Sequence, residues 1–288
     1  MPSNNHYQDK ISVLIFSHDA EKEIAHCIKS AKLLTDKIYL IDIQSKDKTI
    51  KIAKEQKVVI YLSPYSQYVE PAREYGIKKA QTDWVFILDA DERITPALAQ
   101  EIQNLTCPSN SERRSGKSKI QNFTHYKIPR KNIFGNPPNG RWLKHGGWWP
   151  DYQIRLINKK YYKSWPKEIH STPQIEGNGA NLNQPLLHYF HGDFASMVNK
   201  TIVFEDIESD LLFKAGKTAN SLIFFRKFNG ELFRRLIKNL GFLDGSIGII
   251  ESIYQAFSKT ITYLFLYEKL QSRVQRDSGK LNQKSRVV

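Results

Sequence analysis

The sequence predicts an α/β protein, a mostly parallel sheet flanked by helices, with a helical extension at its C-terminal end. Three features of the 288 residues carry that prediction. Short apolar runs alternate with segments of helical periodicity over the first hundred positions, the pattern of βαβ units. Those apolar runs are continuous, as in strands covered on both faces. From Phe194 onward the chain reads as helix almost to its end.

In order, ISVLIF (Ile11–Phe16) is the first strand, and Ile24, Cys27, Ile28, Ala31 and Leu34 recur at helical spacing over Glu21–Leu34. KIYLIDI (Lys37–Ile43) is the second strand. A helix follows from Asp47, which is placed to cap it, with Ile50 and Ala53 inward. VVIYL (Val58–Leu62), a helix over Glu70–Ala80 and WVFIL (Trp84–Leu88) come next. Pro96 opens a helix to about Leu105, at a position where its missing N–H costs little. Residues 106–122 are polar, basic and Ser-rich, and read as a flexible surface loop. Residues 123–193 are irregular, with strand-like pieces such as Tyr152–Ile157, and a polar tail is expected from about Asp277.

A chain of this length buries a core without disulfides or metal staples. Its 40% hydrophobic and 25% charged residues are those of a globular protein. The two cysteines form no framework: Cys27 reads as core and Cys107 lies in the polar loop, which suggests a reducing compartment. The polar start MPSNNHYQDK is unlike a signal peptide, and no apolar run is long enough to span a bilayer. A cytoplasmic protein is expected. The net charge of +14 points to an anionic partner: nucleic acid, membrane surface or phosphorylated substrate.

FILDADERI (Phe86–Ile94) runs four apolar residues into Asp89, Asp91 and Glu92. Carboxylates that close favour one another's protonation, so something positive is expected among them. Ligands of open α/β sheets bind beyond the carboxyl ends of the strands. Asp42 ends the second strand and SHDAE (Ser17–Glu21) follows the first, so three strand ends present polar groups to one crevice. A hard divalent cation, Mg²⁺ or Mn²⁺, would relieve the repulsion and suit a diphosphate. The other reading is an acidic surface turn that also caps the helix at Pro96. Neither a G-x-G-x-x-G fingerprint nor a P-loop is present.

Together, ISVLIFSHDAEKEIAHCIKSA, IYLIDIQSKDKTIKIAKE and WVFILDADERITPALAQEI resemble the N-terminal half of family 2 glycosyltransferases, which have the Rossmann-like GT-A fold. IPRKNIFG, HGGWWPDYQIRLINKK and GFLDGSIGIIESIYQAFSKTITYLFLYEKL are similar to bacterial lipopolysaccharide core-biosynthesis β-1,4-glucosyltransferases. The resemblance implies that Asp42 contacts the nucleobase, Asp89 lies near ribose and sugar, and Asp91 carries the metal on the diphosphate. It places Ser17, Glu21 and Arg73 at the nucleoside pocket. It implies a UDP-sugar donor, a lipopolysaccharide-core or other lipid-linked acceptor, no nucleic acid partner, and a seat in the cytoplasm, peripheral on the inner membrane. The domain plan is then a catalytic domain over 1–193, with a nucleotide-binding half (10–105) and an acceptor-side half (123–193). A helical region (194–276) and the tail (277–288) follow. Gln44 and Lys48 stand where the family has glycines, so that loop is expected to be stiffer.

Sugar transfer needs a stabilised leaving diphosphate and a base for the acceptor hydroxyl. Direct attack inverts the anomeric centre. Asp151, after two tryptophans and a proline, is the first candidate base, in a setting apt to raise its pKa by desolvation; it reads equally as a turn residue. Glu168 is the second candidate; relatives often have His-Glu where this chain has His170-Ser171, so the resemblance implies that a base expected there would be missing. Arg155 would meet diphosphate oxygens or form a structural ion pair. Arg130, Lys131, His145, Trp148 and Trp149 are candidate acceptor contacts, and His145 and His170 are also candidate metal ligands.

RKFNGELFRRLIK (Arg226–Lys238) fits a cationic amphipathic segment. Ile250, Ile253, Tyr254, Phe257, Ile261, Leu264 and Phe265 form a stripe at helical spacing, with Glu251, Gln255 and Lys259 off it. Packing on protein and docking on an anionic membrane both account for these helices. Two competing functions are a sugar-nucleotide pyrophosphorylase, which would want a Gly-rich basic loop near the start, and a nucleic-acid-binding protein, for which no motif is present.

Overall fold

The computed structural model describes residues 10–106, 123–135, 139–191 and 194–284. The loop expected over 106–122 lies outside them but for Thr106, the last residue of a helix. Cys107 lies outside them too. The chain divides into two compact units, Met1–Ile133 with Trp149–Phe190, and Phe134–Trp148 with His191–Val288. Residues 134–148 fall in the unit that holds the C-terminal helices.

In the first unit the expected alternation is present: β1 Ile11–Ser17, α1 Ile24–Ala31, β2 Ile38–Asp42, α2 Thr49–Glu55, β3 Val59–Leu62, α3 Glu70–Lys79, β4 Trp84–Asp89, β5 Glu92–Ile94 and α4 Pro96–Thr106. After it come β6 His125–Phe134, β7 Arg141–Trp142 (a short strand of the second unit), β8 Asp151–Asn158, β9 Tyr162–Ser164, β10 Gln174–Ile175, β11 Gly179–Asn181 and β12 Leu186–His191. The main sheet runs β3-β2-β1-β4-β8-β6-β12-β5. Its first four strands are parallel. β8 then runs antiparallel to both β4 and β6, and β12 antiparallel to β5. The sheet is therefore parallel through the alternating half of the chain, as expected, and mixed beyond it.

Alternation along β1 splits the core in two. Val13 and Ile15 face α1, α2 and α4, while Leu14 and Phe16 face α3 and Trp165. Gly76 lets α3 lie close to the strand ends: a Cβ there would meet the Phe16 ring at 2.7 Å. On the same buried face of α3, one turn earlier, stands Arg73.

The second unit contains α5 Phe194–Lys214, α6 Ser221–Leu232, a π-helical turn Phe233–Lys238, a 3₁₀ turn Gly241–Asp244 and α7 Gly245–Lys284. Asn220 caps α6, accepting the Ile223 amide at 2.9 Å. The tail expected from Asp277 is helix to Lys284, for Lys, Arg, Gln and Leu propagate a helix without apolar cover. α7 also turns the opposite way from its apolar stripe. Ile250, Ile253, Phe257 and Leu264 are exposed, while Glu251, Ser252, Ala256, Ser258 and Thr262 are buried. The cause is polar: Ser258 Oγ donates to Glu205 Oε1 at 2.5 Å, and Thr262 Oγ1 bonds the other oxygen, so α5 takes the face of small hydrogen-bonding side chains.

Candidate active site

Parallel pairing brings the ends of β2, β1 and β4 side by side, with Ser17 opposite Asp42 and Phe16 opposite Asp89. Asp42 is fully buried. Its Oδ1 accepts the Ser45 amide at 2.9 Å, and its Oδ2 accepts the hydroxyls of Ser45 at 2.5 Å and Ser17 at 3.2 Å. The two loops beyond lock together. Asp19 Oδ1 accepts the Lys46 amide at 2.6 Å, Glu21 Oε2 accepts the Lys48 amide at 3.2 Å, and the Glu21 amide meets Asp47 Oδ2 at 2.8 Å. Asp47 Oδ1 takes the amide of Thr49, the first residue of α2, as expected of its position. Gln44 stands at φ +55°, a left-handed conformation that glycine adopts without strain.

The positive charge demanded by Asp89 and Glu92 is supplied by arginines. Arg73 Nη2 meets Asp89 Oδ1 at 2.7 Å, and Arg155 Nη2 meets Asp89 Oδ2 at 2.8 Å and Glu92 Oε1 at 2.5 Å. Arg130 reaches Glu92 Oε1 at 3.3 Å and Asp151 Oδ2 at 2.6 Å. The order Arg73–Asp89–Arg155–Glu92–Arg130–Asp151 alternates sign throughout. Glu92 is fully buried and also accepts the Asp89 amide at 3.0 Å. Burial acts to raise the Asp89 pKa, but Arg73 and Arg155 outweigh it and hold it below the ordinary 3.8. The Arg155 pKa is raised, because Glu92 and Asp89 outweigh its own burial. Arg155 is thus seated as an ion-pair member within the first unit.

Asp151 behaves oppositely to expectation. Burial does push its pKa up, but Arg130 and the amides of Gln153 and Asn132 push harder, and the net direction is down. Gln153 Nε2 donates to Oδ1 at 2.7 Å and Asn132 Nδ2 to Oδ2 at 3.2 Å. Glu168 is exposed on a turn; its carbonyl accepts the Ser171 amide at 3.2 Å. His170, also exposed, has φ +59°, and its amide donates to Glu70 Oε1 at 2.9 Å. Lys131 is half-buried on β6. Trp149 precedes Pro150 through a cis peptide bond. His145 and Trp148 belong to the second unit. There His145 Nδ1 donates to Asp244 Oδ1 at 2.7 Å, and the Arg235 guanidinium lies 5.1 Å from the Trp148 ring centre.

The expected convergence of Asp42, Asp89 and Asp91 on one cation is not what forms. Among the described residues no group of three or more His, Cys, Asp or Glu side chains is placed to hold a metal. Asp42 is held by serines and Asp89 by arginines. Asp91 instead faces His188 on β12, whose Nε2 lies 3.6 Å from Asp91 Oδ2. Reading the chain missed His188 and Asn132. Asn132 gives its amide N–H to Asp151, so its carbonyl oxygen is the group facing His188 Nδ1 at 2.7 Å, and Nδ1 must donate. Nε2 is then the ring nitrogen on the side of the Asp91 carboxylate. Ligand atoms around one octahedral ion of this size lie about 3 Å apart, so the pair fits as part of a divalent site.

The glycosyl transferase family 2 model matches residues 12–165. The chain is 26% identical over 275 residues to an uncharacterized glycosyltransferase of Rickettsia typhi, covering 92% of this chain and 89% of that one. It is 24% identical to a second from Rickettsia conorii, with 92% of each covered. Among solved structures it is similar to S. aureus TarS 1–349, at 14% identity and TM-score 0.44 over 91% of each chain. Glucosyl-3-phosphoglycerate synthase from Mycobacterium tuberculosis, in complex with Mn²⁺, UDP and phosphoglyceric acid, is similar at 12% identity and TM-score 0.43. That match covers 74% of this chain and 80% of the synthase.

Proposed function

The chain belongs to glycosyl transferase family 2, and from that premise we propose that it moves a hexose, glucose first among the candidates, from a UDP-sugar onto a lipid-linked glycan of the lipopolysaccharide-core kind, with inversion. The observation that carries a diphosphate-sugar donor is the Asp91–His188 pair, a carboxylate oxygen and an imidazole nitrogen 3.6 Å apart, with the other ring nitrogen engaged by Asn132. These two residues would hold Mg²⁺ or Mn²⁺. When bound, the ion supplies Lewis-acid stabilisation of the departing diphosphate.

The remaining residues orient and accept. Asp42 offers its spare Oδ1 lone pair to a base N–H, its rotamer fixed by Ser17 and Ser45. Asp89, pinned between Arg73 and Arg155, keeps acceptor capacity for ribose and sugar hydroxyls. Arg155 acts by holding Asp89 rather than by gripping the diphosphate directly. Asp151 takes the acceptor hydroxyl proton at Oδ1, the oxygen not engaged by Arg130. Its lowered pKa keeps it ionised at neutral pH, and the acidic limb of the kcat/KM profile is expected below the ordinary aspartate range. Asp151→Asn should abolish that limb together with most of the turnover.

The deciding experiment is release of UDP from a panel of nucleotide sugars by purified protein, with and without EDTA, beside Asp91→Ala. A loss of two orders of magnitude or more is expected in both arms. Undiminished turnover by Asp91→Ala would remove the metal role, and no turnover of any UDP-sugar by the parent protein would remove the donor.

A further inference from the structure

The helical unit carries an apolar surface that its own packing leaves uncovered. Along α6 and the turns after it, Leu222, Phe225, Phe233 and Ile237 are 73%, 69%, 60% and 49% exposed. They follow one another at helical spacings, so they form a stripe, and Phe242 and Leu243 extend it. A run of large apolar side chains on a surface marks a binding face.

Charge says what kind. From Lys217 to Leu243 the chain holds six basic residues and a single acid, Glu231. Glu231 is engaged by Arg234 Nε at 2.9 Å and Arg235 Nε at 2.7 Å, which leaves Arg226 and Lys238 among the bases beside the stripe that Glu231 does not meet. The exposed stripe of α7, Ile250, Ile253, Phe257 and Leu264, has no such basic border.

We propose that Ser221–Leu243 docks on an anionic lipid bilayer, lying in the interface with its apolar side chains at the headgroup–acyl boundary and its bases against the headgroups. Among the described residues no helix is long and apolar enough to cross a membrane, so the mode is in-plane. A second copy of this chain is the poorer occupant, because a two-fold interface would set two strongly basic faces against each other. Nucleic acid would answer the bases and leave the phenylalanines in water. A bilayer answers both. The inference stands apart from the proposed reaction.

The test is co-sedimentation of the full chain with vesicles of phosphatidylcholine alone and of phosphatidylcholine with phosphatidylglycerol. Binding to the phosphatidylglycerol vesicles only, weakened at high salt, is expected. Phe225→Ser with Phe233→Ser should lower partitioning at least tenfold, and Arg226→Glu with Lys238→Glu should remove the preference for phosphatidylglycerol. Circular dichroism and UDP release should be unchanged in both. Absence of binding, equal binding by the variants, or a dimer that the Ser variant dissolves without any vesicle binding would each overturn the proposal. So would oligonucleotide binding in its place.

Discussion

The two units handle polar and apolar groups in opposite ways. The first buries its charge, with Arg73, Asp42, Glu92, Arg93 and Arg155 all inside, and leaves five large hydrophobic residues exposed among its described residues. The second exposes sixteen among its described residues, and two of the helices in it meet through Glu205, Ser258 and Thr262. Buried charge is tolerated only when each group has opposite partners close by. The alternating ladder from Arg73 to Asp151 meets that condition, and it fixes its carboxylates in place. The second unit is stabilised by close approach of small polar faces, and its large apolar side chains remain for something else to cover.

The largest break in the comparison is expected at Arg155. Arg155→Met removes the cation shared by Asp89 and Glu92, leaving Asp89 to Arg73 alone and the fully buried Glu92 to the longer contact with Arg130. A loss of about 3–5 kcal/mol is expected in urea unfolding. The pH dependence gives the sign. The Asp89 and Asp151 pKa values are lowered on folding, so their contribution is present above the ordinary value of 3.8 and is lost as pH falls through the folded values. The variant should lose stability chiefly above that range and converge on the parent protein in acid. Parallel curves at every pH would mean the ladder contributes nothing through its charges.

Glu251 sharpens the contrast from the other side. It is fully buried in the second unit, where Gln255 Nε2 donates to its Oε1 at 2.8 Å, and burial pushes its pKa up to about 7. Here stability is greatest below the unfolded value near 4.5 and falls as pH rises through about 7. Glu251→Gln should therefore raise stability at pH 8 by up to about 3 kcal/mol and leave it unchanged at pH 4. The first unit gains from ionised acids and the second from a protonated one, so the two substitutions should show opposite pH slopes.

How far the chain could be read follows the same division. The strands to β4 and the helices around them are local patterns, and Asp42 and Asp89 were legible because a strand end is a local event. Arg73 and Arg155 were legible as residue types but not as partners of Asp89, since nothing in spacing says which crossing strand or helix delivers them. The antiparallel strands lie in a segment without strong periodicity; Tyr152–Ile157 read as the strand it is in β8, but β6 and β12 and the pairing of all three did not. α7 shows a different limit. Its 3.6-residue period was plain, but periodicity identifies a stripe and not what the stripe faces. Glu205 on α5 decided that, through hydrogen bonds to Ser258 and Thr262.

His188 was illegible for the first of these reasons, and Asn132 is the residue through which it can be tested most finely. Asn132 lies in IPRKNIFG, where no local pattern assigns it a partner. In the fold it stands between Asp151 and His188, giving its N–H to one and its carbonyl to the other. A second group that fixes a ligating imidazole's tautomer alters metal affinity by roughly 10–100-fold when removed. Asn132→Ala is expected to weaken Mn²⁺ binding by that factor, followed by the electron paramagnetic resonance of the free ion. The ¹⁵N shifts of His188 should at the same time lose the pattern of an Nδ1-protonated ring. A purely structural role would shift the urea midpoint and leave both readings alone. Unchanged Mn²⁺ affinity with an altered tautomer would separate His188 from the metal and leave Asp91 to bind it without imidazole.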